Sequence, residues 1–500
     1  MSPVRGSCAS SCCDGRVRNL PVSVAAMTTA ARPVLVVAAA VLTLAASCAP
    51  AGGDVDPATL DWPDPSPTRP VVDLTFDVAG DLRSVEGTER VDFTPDLEVC
   101  ELVFRAWPNK PFLAEAGSAL EVTEVLVDSV EVEPEVSPGG APEGSPGTLV
   151  EVPLPECVDA GTTVTADLRF TVTLGEGVDE RVGTSRMGDV AWFGTAFPLL
   201  AWEEGRGWAR DEAVPVVGET TTSETFELRS LEVVAPEGYE VLGTGSPAGE
   251  EAAGDGMMRH RFTAPAVRDV TVTVGRLDLA TRDVGDVRVR VGTPGSGSDA
   301  DPEVWAEQVA EAVERVGSWL GPVPYPDVWV SVLPDQTDGI EFPGAVQFGD
   351  VSPVEESWLV THEVAHLWFY GLVGNNQARD PWLDEALATF VQMVTDPEGG
   401  GPSPNRGESY LGEVGQPMDH WLDYRRPSTA YVRGVYLAGG AALLEARARA
   451  GAEAFDEALR GYLRDNAHRV ATPEDVEAAF AELPEVLEVL RDAGALEGGR

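Results

Sequence analysis

The stretch His-Glu-Val-Ala-His at positions 362–366 decides how the rest of the chain is interpreted. On an α-helix, residues four apart lie one turn above each other, so both imidazoles project from one face at a spacing that one metal ion can bridge. Glu363 lies about 100° around the helix from His362 and would stand beside the metal, where it can take a proton from water. The pattern predicts a zinc site on a helix.

A third ligand is expected from Glu385, which eighteen residues separate from His366 and which ends the stretch Trp-Leu-Asp-Glu at 382–385. Three protein ligands leave the fourth zinc position to water, as in catalytic rather than structural sites. Zinc lowers the pKa of that water to about 7, which makes a nucleophile available near neutral pH. The competing interpretation, two unrelated histidines on a surface helix, is disfavoured because the chain has only five histidines.

Both halves of this predicted site fall on predicted helices. Ser-Pro-Val-Glu at 352–355 has the form of a capping box with proline at the first helical position, and Gly371 and Gly374 are candidate ends. Asp-Pro at 380–381 predicts the start of a second helix, which would carry Glu385 in its first or second turn.

The amino-terminal residues predict export. The apolar run from Val34 to Ala46 is too short to span a bilayer but suits the core of a signal peptide. The following cysteine, Cys48, ends a Leu-Ala-Ala-Ser-Cys stretch that is similar to the signal of bacterial lipoproteins. We expect residues 1–47 to be a leader and signal peptide, with Met27 as a candidate true start, and a lipidated Cys48 to anchor the chain to the outer face of the bacterial cytoplasmic membrane. A plain secretory signal cleaved elsewhere is the alternative.

The cysteine count is consistent with export. Of six cysteines, three precede Met27 and one is Cys48, which leaves Cys100 and Cys157. Outside the cell we expect these two to form a disulfide, with two buried free thiols as the alternative.

The charge balance bears on partners. The chain has 35 Lys and Arg against 83 Asp and Glu, a net charge of −48. Because so acidic a surface repels phosphate backbones, we expect no nucleic-acid partner.

The chain divides by composition. Residues 48–70 are rich in Pro, Gly and Asp and predict a flexible tether. Residues 71–291 alternate apolar and polar side chains and predict an all-β domain. The Gly/Ser/Pro-rich stretch after residue 292 marks the boundary of a catalytic domain over 292–500, which is mainly helical from about residue 430.

These residues resemble the zinc aminopeptidases typified by aminopeptidase N and leukotriene hydrolase. The likeness is strongest over 362–390 and weaker in Phe-Arg-Ala-Trp-Pro-Asn at 104–109 and Ala-Phe-Pro at 196–198. It implies a multidomain fold, in which an all-β saddle-like domain precedes an α+β thermolysin-like domain with a mainly helical carboxy-terminal part.

The resemblance also implies roles for single residues. One Zn²⁺ per chain would be held by His362, His366 and Glu385, with Glu363 as the general base. The stretch Asp-Gly-Ile-Glu-Phe at 338–342 corresponds to the family's Gly-x-Met-Glu-Asn strand. Glu341 would then bind the free amino group of the substrate, with Gly339 beside it. An exposed charge at a strand edge is the alternative for Glu341.

The family also has a tyrosine that stabilises the oxyanion. Tyr436 keeps the family's distance to Gly451 and Phe455, whereas Tyr431 fits the local motif and competes for the role. Packing within a helix is the alternative for both.

The expected function is a zinc metallo-aminopeptidase that hydrolyses peptides with a free amino terminus. The alternatives are a zinc endopeptidase of the same fold and a catalytically inactive surface-binding lipoprotein.

Overall fold

The computed structural model describes residues 60–178, 180–218, 222–295, 298 and 300–498. The predicted leader, signal peptide and Cys48 lie outside these residues, as does most of the predicted tether. The last part of that tether lies against the end of the first long helix, where the Trp62 indole donates a hydrogen bond to the Pro322 carbonyl at 2.8 Å.

Alternation of apolar and polar residues produces the strands of the first half. In β1 (Val71–Val78), for example, Val72, Leu74 and Phe76 are buried and the side chains between them are more exposed. The strands that follow, in chain order, are β2 (Ser84–Phe93), β3 (Val99–Arg105), β4 (Ala119–Val127), β5 (Val130–Glu131), β6 (Glu135–Ser137), β7 (Leu149–Val158), β8 (Val164–Thr173), β9 (Val182–Thr184), β10 (Val190–Gly194), β11 (Leu199–Leu200), β12 (Trp202–Glu203), β13 (Gly207–Trp208), β14 (Phe226–Pro236), β15 (Glu240–Gly243), β16 (Ser246–Gly254), β17 (Met257–Val267), β18 (Thr271–Gly275), β19 (Leu277–Val284) and β20 (Val287–Pro294). A 3₁₀ helix (Trp107–Asn109) and the short helix α1 (Pro111–Glu115) interrupt them.

The strands up to β18 form three larger sheets and a small pair. The largest sheet has the order β16-β17-β14-β1-β2-β8-β4-β5, with β1 and β14 parallel and all other neighbours antiparallel. Two four-stranded sheets have the orders β15-β18-β10-β9 and β11-β3-β7-β6, and β12 pairs with β13. A disulfide joins Cys100 on β3 to Cys157 on the neighbouring β7.

The second half is mixed and then mainly helical. Its helices are α2 (Pro302–Leu320), α3 (Ser357–Ala365), α4 (Trp382–Thr395), α5 (Pro427–Tyr431), α6 (Gly439–Ala450), α7 (Ala452–Asp465), α8 (Pro473–Ala479) and α9 (Pro484–Asp492). Its strands are β21 (Asp327–Leu333), β22 (Gly339–Phe342), β23 (Ala345–Gly349), β24 (Gly374–Asn375) and β25 (Val470–Ala471). Two 3₁₀ helices (Pro404–Tyr410 and Met418–Asp423) lie between α4 and α5, and a π-helix (Val432–Ala438) connects α5 to α6. The predicted order of an all-β part, an α+β part and a mainly helical end is confirmed.

One sheet positions the candidate site. Its order is β19-β20-β21-β23-β22, so the hairpin β19–β20 begins it and β22 lies at its other edge. The strands β20, β21 and β23 are parallel, whereas β22 runs antiparallel to β23 after a turn at Gly344, whose φ of +69° suits glycine.

The helix that carries the His-Glu-Val-Ala-His stretch is shorter than the sequence predicts. It begins at Ser357 rather than at Ser352, because Ser352 instead caps a preceding turn by accepting a hydrogen bond from the Glu355 amide at 3.3 Å. It ends at Ala365, before the predicted Gly371. The second helix, α4, begins at Trp382 directly after the predicted Asp-Pro start.

The described residues contain no helix that combines the length and apolar character needed to span a bilayer.

Candidate metal centre

Two imidazoles and one carboxylate meet where α3 ends and α4 begins. The Nε2 atom of His366 lies 3.3 Å from Nε2 of His362. The Oε2 atom of Glu385 lies 3.3 Å from Nε2 of His362 and 3.5 Å from Nε2 of His366. All three side chains are buried. Two nitrogens and one oxygen that converge on one point fit a zinc ion with three protein ligands, since a single cation satisfies all three lone pairs.

The hydrogen bond on the far side of one imidazole fixes its tautomer. Nδ1 of His366 lies 3.1 Å from the carbonyl oxygen of Phe369. Because a carbonyl oxygen can only accept, Nδ1 carries the proton and Nε2 of the neutral ring presents its lone pair to the cluster. The backbone after α3 therefore orients His366 as a ligand.

The electrostatics of the cluster favour positive charge between its members. Burial lowers the pKa of His362, with Glu385 acting in the opposite direction. Burial would also lower the pKa of His366, but the carboxylates of Glu385, Glu341 and Glu363 outweigh it and raise that pKa. Burial would raise the pKa of Glu385, yet the two imidazoles hold it below its usual range. A divalent cation supplies the charge that this arrangement favours.

Glu363 stands where the edge strand passes closest to α3. A Cβ atom at Gly339 would lie 2.4 Å from Cγ and 2.5 Å from Oε1 of Glu363. A side chain at this position would displace the Glu363 carboxylate, so glycine at this point of β22 leaves room for it. Glu363 is itself only 4% exposed and lies beside His362.

Glu341 projects from the same face of β22 as Gly339, because residues two apart in a strand share a face. One of its carboxylate oxygens and ligand atoms of Glu363 and His366 all lie within 4.8 Å of one another. Its side chain is buried, so the alternative of an exposed charge at the strand edge does not hold.

The two candidate tyrosines differ in surroundings. The Tyr436 ring lies on the π-helix and stacks on the His362 ring, with 5.7 Å between centroids and 14° between planes. Tyr431 is 1% exposed, and its ring packs edge-on against Trp421 at 6.2 Å. Of the two, Tyr436 lines the cleft described next, and π-helical turns are frequent at functional sites.

A cleft of about 440 Å³ opens over the cluster. Glu341, Glu363 and Tyr436 line it together with the three candidate ligands. Further walls come from the β-rich half, from β22 and the residues before it, from α3 and α4, and from the segments after α4, namely Phe112, Glu180, Val217, Gly218, Gln336, Asp338, Gly339, Ile340, Trp358, Leu359, Thr389, Gln392, Pro402, Ser428, Val432 and Leu437. The volume and the largely apolar lining are those of sites that hold small organic ligands or peptide ends.

Residues 353–492, which contain the whole cluster, match the family model of the peptidase family M1 domain. The chain carries a peptidase family M1 domain. Its fold is similar to that of the M1 zinc metallopeptidase of Deinococcus radiodurans, with a TM-score of 0.61, 18% identity, and coverage of 86% of this chain and 93% of that one. The predicted relationship to zinc aminopeptidases of the aminopeptidase N type is confirmed.

Two other solved structures share this fold. A variant of the Deinococcus radiodurans M1 enzyme bound to a Tyr-Ser-Ala substrate gives a TM-score of 0.62 at 18% identity, over 86% of this chain and 95% of that one. A two-domain M1 zinc metallopeptidase variant bound to L-arginine gives 0.59 at 18% identity, over 85% and 93%. No curated protein sequence matches the chain.

Sequence reasoning missed most of the cleft wall. Gln392 follows Glu385 by two turns of α4 and could have been placed by helical spacing. Phe112 and Glu180 come from the distant β-rich half, and no local pattern marks them.

Proposed function

We propose that the chain is a zinc-dependent peptidase that removes amino-terminal residues from peptides. The observation that carries the proposal is the convergence of His362, His366 and Glu385 in a buried cluster, with Glu363 beside it at the base of a cleft. The M1 domain supports peptide hydrolysis, and the zinc metallopeptidases of similar fold support zinc as the cofactor. The structure of one of them with a Tyr-Ser-Ala substrate supports peptides as the substrate class.

His362, His366 and Glu385 would hold the zinc. When bound, zinc polarises the scissile carbonyl and makes water nucleophilic near neutral pH. Glu363 takes a proton from the attacking water and delivers it to the leaving amine. The Tyr436 hydroxyl donates a hydrogen bond to the carbonyl oxygen as negative charge develops on it.

Glu341 is the basis for preferring aminopeptidase over endopeptidase activity. Its buried carboxylate lies next to Glu363, so a substrate ammonium paired with it places the first peptide bond near the general base. The edge strand β22 offers backbone groups along which an extended peptide can align. A longer peptide chain on the amino-terminal side would have to displace that ion pair.

The deciding experiment compares one peptide set with free and with acetylated amino termini, using the zinc-loaded soluble protein. We expect cleavage of the free peptides alone, one residue at a time, and none by Glu363→Gln. Internal cleavage of both forms would favour the endopeptidase. No cleavage across a broad set would favour the inactive binding protein.

We further propose that the chain is exported and held at the membrane by a lipid on Cys48. The support is the apolar run that precedes Cys48 and the disulfide between Cys100 and Cys157, a bond typical of oxidising compartments. Mass spectrometry of the mature amino terminus tests this proposal. A terminus other than a lipidated Cys48 would leave the plain secretory signal as the better account.

A further inference from the structure

Arg181, which immediately precedes β9, is a fully buried cation next to the cleft. Its guanidinium carbon lies over two aromatic rings, 5.1 Å from the centroid of Trp107 and 4.8 Å from that of Phe342. Arginine tolerates such a position because its flat, weakly hydrated guanidinium stacks on ring faces. A buried charge also needs partners of opposite charge, and the surrounding residues supply them.

The first partner is a carboxylate that is itself held on several sides. Nη1 of Arg181 donates a hydrogen bond to Thr195 Oγ1 at 3.0 Å and lies 3.6 Å from Oδ2 of Asp269. That Oδ2 accepts hydrogen bonds from the Thr195 hydroxyl at 2.6 Å and the Tyr370 hydroxyl at 3.0 Å. The other oxygen, Oδ1, accepts one from the Val270 amide at 2.7 Å. These contacts hold the guanidinium against Thr195 and Asp269 of the β-rich half. Through Asp269 they also reach Tyr370, in the turn after α3.

The second partner is the candidate amine-binding residue. Nη2 of Arg181 lies 3.9 Å from Oε1 of Glu341. Arg181 thus contacts Glu341 on β22, while its network reaches Tyr370, four residues after His366. One buried cation is therefore connected to both parts of the proposed site: to Glu341, which would bind the substrate amine, and to the turn whose backbone orients His366.

The network also explains features of the sequence that the proposed function left unused. Phe342 stands where the resembling family has Asn, and the Arg181 guanidinium packs over its ring. Gly194 leaves space for that ring, since a Cβ there would lie 2.2 Å from Cζ of Phe342. Trp107 comes from the segment 104–109, and Thr195 directly precedes the segment 196–198.

We propose that Arg181 is a positioning residue that holds the Glu341 carboxylate at a fixed distance from the metal cluster and thereby sets the requirement for a free substrate amino terminus. This inference rests on the proposed function, in which Glu341 binds the substrate ammonium. Arg181 does not line the cleft itself and would act on the substrate through Glu341.

The test measures binding rather than turnover. In a zinc-loaded Glu363→Gln background, calorimetry gives the Kd of Leu-Ala-Ala with a free and with an acetylated amino terminus. We expect Arg181→Met to weaken binding of the free peptide about tenfold, because Glu341 loses the contact that holds its carboxylate in place, and to change binding of the acetylated peptide less than about twofold. Arg181→Lys should recover part of the difference, and Glu341→Gln should reproduce it.

Arg105→Met is the matched control, because Arg105 is also buried but its guanidinium donates to the Asp211 carbonyl rather than contacting Glu341. It should lower thermal stability and leave the ratio of the two Kd values unchanged. Arg181→Met acting equally on both peptides, or on neither, would overturn the positioning role. If that variant does not fold, Phe342→Leu keeps the charge but removes one stacking face, and an unchanged ratio in it overturns the proposal equally. A parent protein that binds both peptides equally well would instead overturn the proposed aminopeptidase function.

Discussion

Tyr436 and Tyr431 lie five residues apart, and their different contacts indicate different roles. Because the Tyr436 ring stacks on His362 and lines the cleft, its hydroxyl can reach charge that exists only in the transition state. We expect Tyr436→Phe to lower kcat about 100-fold with KM within about twofold. Steady-state kinetics on a free tripeptide measure both. Tyr431→Phe is the control, because the Tyr431 ring is buried against Trp421, and it should leave kcat unchanged. A loss of kcat in Tyr431→Phe but not in Tyr436→Phe would assign the oxyanion role to Tyr431.

Gly339 matters because it has no side chain beside Glu363. A methyl group there would occupy the space of the Glu363 carboxylate, so Gly339→Ala should misplace the general base and lower kcat by at least about 100-fold. Zinc content, measured by atomic emission, should stay the same because no ligand is touched. Gly461→Ala, on α7 with nothing near the added Cβ, should retain full activity and gain up to about 1 kcal/mol in stability. A fully active Gly339→Ala would show that the Glu363 side chain accommodates the methyl group without losing its catalytic position.

At the level of elements, local patterns were predictable and packing-dependent ones were not. The ligands on α3 and α4 follow from spacings of four and nineteen positions, and Asp-Pro marks the start of α4 within a residue or two. The start of α3 was missed because Ser352 caps a turn first. The π-helix around Tyr436 has no sequence signal of its own. Within it, Gly434 lies against Trp421, where a Cβ would approach within 2.0 Å of the indole.

Zinc would join α3 to α4, because His362 lies on α3 and His366 caps its end, whereas Glu385 lies on α4. Removing it should leave three polar groups converging without their cation. We expect a chelator to lower the melting temperature of the loaded protein, since a ligand at a thousand times its Kd contributes about 4 kcal/mol. Glu385→Ala should melt lower and respond less to the chelator. Differential scanning fluorimetry measures these melting temperatures. If the chelator lowered the melting temperature equally in the parent and in Glu385→Ala, the metal would have to bind elsewhere.

At the scale of the whole molecule, the β-rich half completes the site rather than merely preceding it. Two of its residues reach across to the second half: Arg181 lies 3.9 Å from Glu341, and Asp269 accepts a hydrogen bond from Tyr370, which is 101 positions away along the chain. Such pairings could not be predicted from one sequence, because no local periodicity records which distant residues share a cavity. The sequence could predict only that an all-β part and a zinc-binding part both exist.

The Cys100–Cys157 disulfide bears on stability of that β-rich half. It links two strands of one sheet across a sequence separation of 57, and closing a loop of this size in the unfolded chain is worth about 4 kcal/mol. We therefore expect the Cys100→Ser, Cys157→Ser double variant to lose about that much free energy of unfolding, measured by urea denaturation at neutral pH. Reductant should destabilise the parent by a similar amount and leave the double variant unchanged, which separates loss of the bond from effects of the serines. A parent that exposes two reactive thiols when unfolded without reductant, and whose stability reductant does not alter, would show that the chain does not carry this bond in solution.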